Sequence, residues 1–121
     1  MRRKEFRRLV QQALAELPSE FLHRLDNVAI TIEDWPGQDD LEFAGVQDRY
    51  DLLGLYVGTP LPERSGYNLA LPDRIILYQK NIEAASENDD EALQQIKLTV
   101  IHEVAHHFGI TDEELERLGL G

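Results

Sequence analysis

The sequence predicts an α+β fold, a single domain over residues 1–121 in which a small mixed β-sheet packs on one long helix. Three observations carry that expectation. A chain of 121 residues with 42% apolar side chains has the length and the apolar content of one domain with its own core. Three short apolar runs read as strands among stretches with helical spacing. The longest helical stretch lies near the end of the chain and keeps a polar face apart from its apolar one.

Taken in order, Phe6, Leu9, Val10, Ala13 and Leu17 recur at helical spacing ahead of Pro18, which predicts an amphipathic helix over residues 3–16. Residues 19–24 can add one more turn. Val28, Ile30 and Ile32 alternate with Ala29, Thr31 and Glu33, the period of a half-buried strand, and Trp35-Pro36-Gly37 stops it. Residues 36–51 are rich in Asp, Gly and Gln and read as a long surface loop. Residues 52–57 read as a second strand, residues 58–66 as irregular by composition, and residues 74–78 as a third strand, apolar on both faces and so central. Asn88, Asp89 or Asp90 can cap a helix over residues 91–108 that stops at Gly109. Thr111, with Glu114 three residues on, matches a capping box opening a last short helix. No repeat or low-complexity tract interrupts this order.

The chain has no cysteine, which excludes a disulfide scaffold, a thiol nucleophile and every zinc site built on thiolates. Any metal must be held by His, Asp or Glu. No apolar run approaches the roughly 18 residues needed to span a bilayer. The basic stretch Met1–Arg8 opens like a signal peptide, but Gln11, Gln12 and Glu16 break the apolar segment that should follow. The expectation is a cytoplasmic protein with no membrane partner. Net charge is −11, and the five basic residues Arg2, Arg3, Lys4, Arg7 and Arg8 stand together, leaving a body still more acidic. Such a body repels phosphate backbones, so nucleic acid is not an expected partner. The basic run reads as a solvated helix face.

The segment His102-Glu103-Val104-Ala105-His106-His107-Phe108-Gly109-Ile110-Thr111-Asp112 carries the chemistry. Four residues advance a helix by about 400°, which places His102 and His106 within about 40° of each other and one turn apart. Two imidazoles can then reach one metal ion. Glu103 lies about 100° around from His102, beside the metal, where its carboxylate can take a proton from a bound water. On the same wheel Leu93, Ile96, Val100, Ile101, Val104 and Phe108 form the core face, while Thr99, His102, Glu103 and His106 share the polar one. His107 falls next to Glu103, which suits an outer or surface role better than ligation. A catalytic zinc site needs a third protein ligand. Asp112 would point away from the metal on a continued helix, but Gly109 can take a left-handed conformation and let the chain double back.

H-E-x-x-H-x-x-G-x-x-D resembles the extended motif of zincin metallopeptidases, and the chain is similar to the small bacterial zincin-like metallopeptidase family, the minimal zincins. The similarity takes in Leu52-Leu53-Gly54-Leu55-Tyr56, Pro60-Leu61-Pro62-Glu63-Arg64-Ser65 and Leu71-Pro72-Asp73-Arg74-Ile75-Ile76-Leu77-Tyr78, roughly residues 25–118 in all. The resemblance implies a minimal zincin-like fold with a mixed sheet on the metal-bearing helix, His102, His106 and Asp112 as ligands of one Zn²⁺, and Glu103 as base. It departs from the metzincins in one respect, since the only methionine is Met1 and no methionine turn can floor the metal.

The expected activity is zinc-dependent hydrolysis of peptide or unstructured protein. A metal-binding or regulatory module without turnover is the first rival. A single-metal endoribonuclease with a related histidine spacing is the second, and Glu103 and the net charge argue against it. Tyr56, Tyr67, Tyr78 and Arg64 are candidates to stabilise the oxyanion, and spacing does not choose among them. His23 stands alone.

Overall fold

The computed structural model describes residues 1–58 and 72–120. Helix α1 (Arg3–Ala15) buries Phe6, Val10 and Ala13, the i, i+4, i+7 stripe its sequence carries. Pro18 opens α2 (Ser19–Arg24), which buries Phe21. Strand β1 (Val28–Glu33) follows, and β2 (Gly54–Val57) and β3 (Asp73–Tyr78) complete a sheet in the order β1-β3-β2. The sheet is mixed: β1 runs parallel to β3 with Val28 opposite Asp73, and β2 runs antiparallel with Gly54 opposite Leu77. The third strand is therefore central. Its Ile75, Ile76, Leu77 and Tyr78 are buried, as a strand covered on both faces requires.

Alternation along β3 divides the core. Ile75 and Leu77 join Phe6, Val10, Phe21, Ile96, Val100 and Val104 on the face covered by α1 and the long helix. Ile76 and Tyr78 join Leu41, Leu52 and Leu55 on the other face. The second cluster explains why residues 36–51 are not the long loop their composition suggests. They hold helix α3 (Gln38–Ala44) and a 3-10 turn at Arg49–Asp51. Leu41 is buried, and Asp40 accepts a 2.8 Å hydrogen bond from the Tyr78 hydroxyl. Gly45, at φ 71°, closes α3 with a bond from the Val46 N–H to the Leu41 carbonyl.

After β3 come α4 (Gln79–Ala84) and the long α5 (Asp89–His107). Asn88 caps α5 by accepting from the Glu91 N–H at 2.9 Å. At the other end Gly109 has φ 72°, and the Ile110 N–H bonds the Ala105 carbonyl at 2.8 Å, a left-handed stop. Helix α6 (Asp112–Arg117) then starts with Thr111 accepting from the Glu114 N–H at 3.1 Å. Two wheel positions need correction. Phe108 lies past the helix end and is 43% exposed, with its ring under the Arg24 guanidinium and against the edge of His107. Thr99, placed on the polar face, is buried.

Thr99 is buried because α5 crosses β2 at Gly54. A Cβ on Gly54 would stand 2.5 Å from Thr99 Cγ2 and 3.1 Å from the Ile76 carbonyl oxygen, so only glycine permits the approach. Among the described residues six α-helices and three strands thus make one α+β unit with the long helix on the sheet. The irregular segment expected over 58–66, with Arg64 and Tyr67, lies beyond Gly58 outside the described residues. Gly54→Ala is expected to cost about 1–3 kcal/mol in urea or thermal unfolding. Adding Thr99→Ser, which deletes Cγ2, should recover much of that loss. A Gly54→Ala protein that unfolds with wild type would refute the close contact.

Candidate active site

The last two turns of α5 form one wall of a cleft of about 360 Å³, lined by Asp51, Leu52, Leu53, Gly54, Thr99, His102, Glu103, His106 and Asp112. The four residues singled out by spacing therefore share one cavity. His102 and His106 come from successive turns, with ring centroids 6.4 Å apart and planes inclined by 23°. Both are exposed. Asp112 reaches the cleft because the left-handed Gly109 ends α5 and turns the chain, so that the first residue of α6 returns toward the histidines.

Glu103 sits deeper. Its Oε1 accepts a 2.9 Å hydrogen bond from the backbone N–H of Tyr56 on β2. Burial pushes its carboxyl above the usual carboxylate range, against the opposing pull of that N–H and of His106 and His102. His107, one turn on from Glu103, does not line the cleft. Its ring stacks on Tyr56, centroids 3.9 Å apart and planes 15° from parallel. Its Nε2 is 3.9 Å from Asp73 Oδ2, which also accepts a 2.8 Å bond from the Tyr56 hydroxyl.

The donor set suits zinc in kind, two imidazoles and a carboxylate. Among the described residues no three His, Asp or Glu side chains stand close enough to share an ion as they are placed. Two imidazoles on one tetrahedral zinc have ring centroids about 5 Å apart, given Zn–N distances of about 2.0–2.1 Å. The separation here is wider by about 1 Å. Exposed side chains on one helix face can close that gap by rotation, without backbone movement. In the chemistry of its donors the set of His102, His106 and Asp112 fits the metal.

Two features escape a reading by spacing. Asp51 reaches the cleft from the 3-10 turn, whose only local signal is Asp48 accepting from the Tyr50 N–H. The Tyr56 amide is a backbone group and leaves no mark in the sequence. Of the oxyanion candidates within the described residues, the hydroxyls of Tyr56 and Tyr78 donate to Asp73 and Asp40, and neither residue lines the cleft.

A family model described as zincin-like metallopeptidase matches residues 25–121. No curated protein matches the chain. No helix among the described residues is long and apolar enough to cross a membrane.

Two outcomes test this geometry. The Gly109 backbone lies in the left-handed region, where a Cβ meets no neighbour but a β-branched residue is strained. Gly109→Val should therefore lower stability by more than about 1 kcal/mol in a thermal melt, and Gly109→Asn by less. The second concerns Glu103 in chelator-treated protein. A carboxyl raised by burial binds its proton more tightly folded than unfolded, so its contribution falls as pH climbs through the ordinary carboxylate range toward the raised value. Glu103→Gln keeps an acceptor for the Tyr56 N–H and removes the buried charge. It should melt above wild type at neutral pH, with the advantage vanishing in acid; equal melting at both pH values would contradict the burial.

Proposed function

The chain belongs to the zincin-like metallopeptidase family, and from that premise we propose that it hydrolyses peptide bonds in extended or unstructured polypeptide, with one Zn²⁺ held by His102, His106 and Asp112 and with Glu103 as general base. Zinc-dependent hydrolysis is the general chemistry of that family. The finer reading is carried by one observation: a single cleft collects two imidazoles one turn apart, a carboxylate returned to them by the Gly109 turn, and a second carboxylate with one oxygen already engaged.

Zinc bound there supplies a Lewis acid that acidifies water and polarises a carbonyl oxygen. The remaining work belongs to the chain. His102 and His106 offer ring nitrogens from an exposed face, and Asp112 adds the charge that makes the set suit a divalent cation. The Tyr56 N–H occupies Glu103 Oε1, which leaves Oε2 to accept the proton of the attacking water and to hand it to the departing amine. Among the described residues strand β2 is a sheet edge, and it borders the cleft through Gly54 with Leu53 before it. It is the edge on which an extended peptide would add as a further strand.

Glu103→Gln should retain zinc while losing about 10²-fold or more of kcat on unstructured protein and on a mixed peptide library, with RNA as control substrate. Wild type that cleaves no peptide, or that cleaves no faster than Glu103→Gln, would leave a metal-binding module without turnover as the better account. Cleavage of the RNA would instead indicate the endoribonuclease. Elemental analysis and chelator competition should give one zinc per chain, and His106→Ala should weaken binding far more than His107→Ala. Equal losses from the two substitutions would remove His106 from the ligand set.

A further inference from the structure

Glu103 and His107 are four residues apart on α5 and so project from one face, one turn apart. Both meet the same residue of β2. Glu103 takes the Tyr56 backbone N–H at 2.9 Å, and His107 lies flat on the Tyr56 ring. At the tip of the ring Asp73, the first residue of β3, accepts the Tyr56 hydroxyl at 2.8 Å and lies 3.9 Å from His107 Nε2. Three elements thus meet on one buried tyrosine.

We propose that Asp73 and His107 are positioning residues acting through Tyr56: by fixing its ring they fix the peptide unit whose N–H holds one oxygen of Glu103, and so aim the other oxygen into the cleft. The inference rests on the reading of Glu103 as general base. The physical need is specific. The terminal torsion of a glutamate is broad, so an unheld carboxylate presents its oxygens in many orientations. An N–H donating to an ionised carboxylate is a strong restraint, provided the N–H is itself rigid. Here it belongs to a strand of four residues. The Tyr78 N–H bonds the Leu53 carbonyl, so by antiparallel alternation Leu55 and Val57 also turn their backbone groups to β3, while Tyr56 turns its N–H outward. The ladder does not secure that N–H, and the clamped side chain does.

Amide hydrogen exchange in the full chain, read residue by residue by NMR, needs no turnover. In Tyr56→Phe, which deletes only the hydroxyl, and in His107→Ala, exchange at the Tyr56 amide should rise about tenfold or more while Leu55 and Val57 keep their protection. Asp73→Asn, which retains an acceptor, should raise it less than Asp73→Ala. Unchanged exchange at Tyr56, or acceleration of all three amides together as in ordinary fraying, overturns the proposal. The kinetic arm uses the zinc form. Tyr56→Phe and His107→Ala should lower kcat about three- to tenfold with KM held, and should cost nothing further in a Glu103→Gln background, because they act only through that carboxylate. An equal further loss in that background overturns it as well. Wild type that cleaves no peptide removes the assignment of Glu103 as base, and the exchange pattern tells that failure apart from a failure of the clamp.

Discussion

At Gly54 the long helix and strand β2 touch with no room for a methyl group, and the site's geometry follows from that contact. Were the strand held off by the width of a side chain, the 2.9 Å bond between the Tyr56 N–H and Glu103 would not form. His107 could not lie on the Tyr56 ring, and the floor of the cleft, where Gly54 and Thr99 meet, would open. A packing constraint in the core and the orientation of a reactive carboxylate are here one fact. The residue that makes it possible contributes no side chain at all.

The half-buried Glu103 shows the tension common to sites of this kind. A carboxylate taken out of water is unfavourable for the fold, and the structure offsets this with one backbone donor and two neighbouring imidazoles. The compensation is deliberately incomplete in its effect, since a fully satisfied carboxylate would be a poor acceptor for a further proton. Around it the described cleft lining holds three carboxylates, two histidines and neither lysine nor arginine, which suits a cation more than an anion.

What the sequence disclosed was whatever is local. The left-handed Gly109 and the Thr111 cap are patterns within a few residues and were legible, and the α5 cap was narrowed to Asn88, Asp89 or Asp90, of which the structure uses Asn88. So was the central place of β3, because a strand buried on both faces is apolar throughout. Helix α3 was not, since Leu41 is its only buried residue and its flanking Gly37 and Gly45 look like loop punctuation. Thr99 misled because its class is polar while its methyl does the packing. Phe108 misled because a wheel assumes the helix continues, and it stops one residue earlier. Asp51 and the Tyr56 amide reach the site through contacts distant in sequence, which no local pattern records.

The family model matches residues 25–121, yet the hydrophobic core does not respect that boundary. Phe6, Val10, Ala13, Leu17 and Phe21 lie in the same buried cluster as Ile96, Val100 and Val104 of α5. Each large apolar side chain so buried is worth about 1.5–3 kcal/mol, and their sum rivals the entire net stability of a domain this size. An excised 25–121 fragment would therefore carry every candidate catalytic group and still lack the wedge that seats the helix bearing them. In this molecule the segment that carries the family likeness is shorter than the length of chain that shares one core.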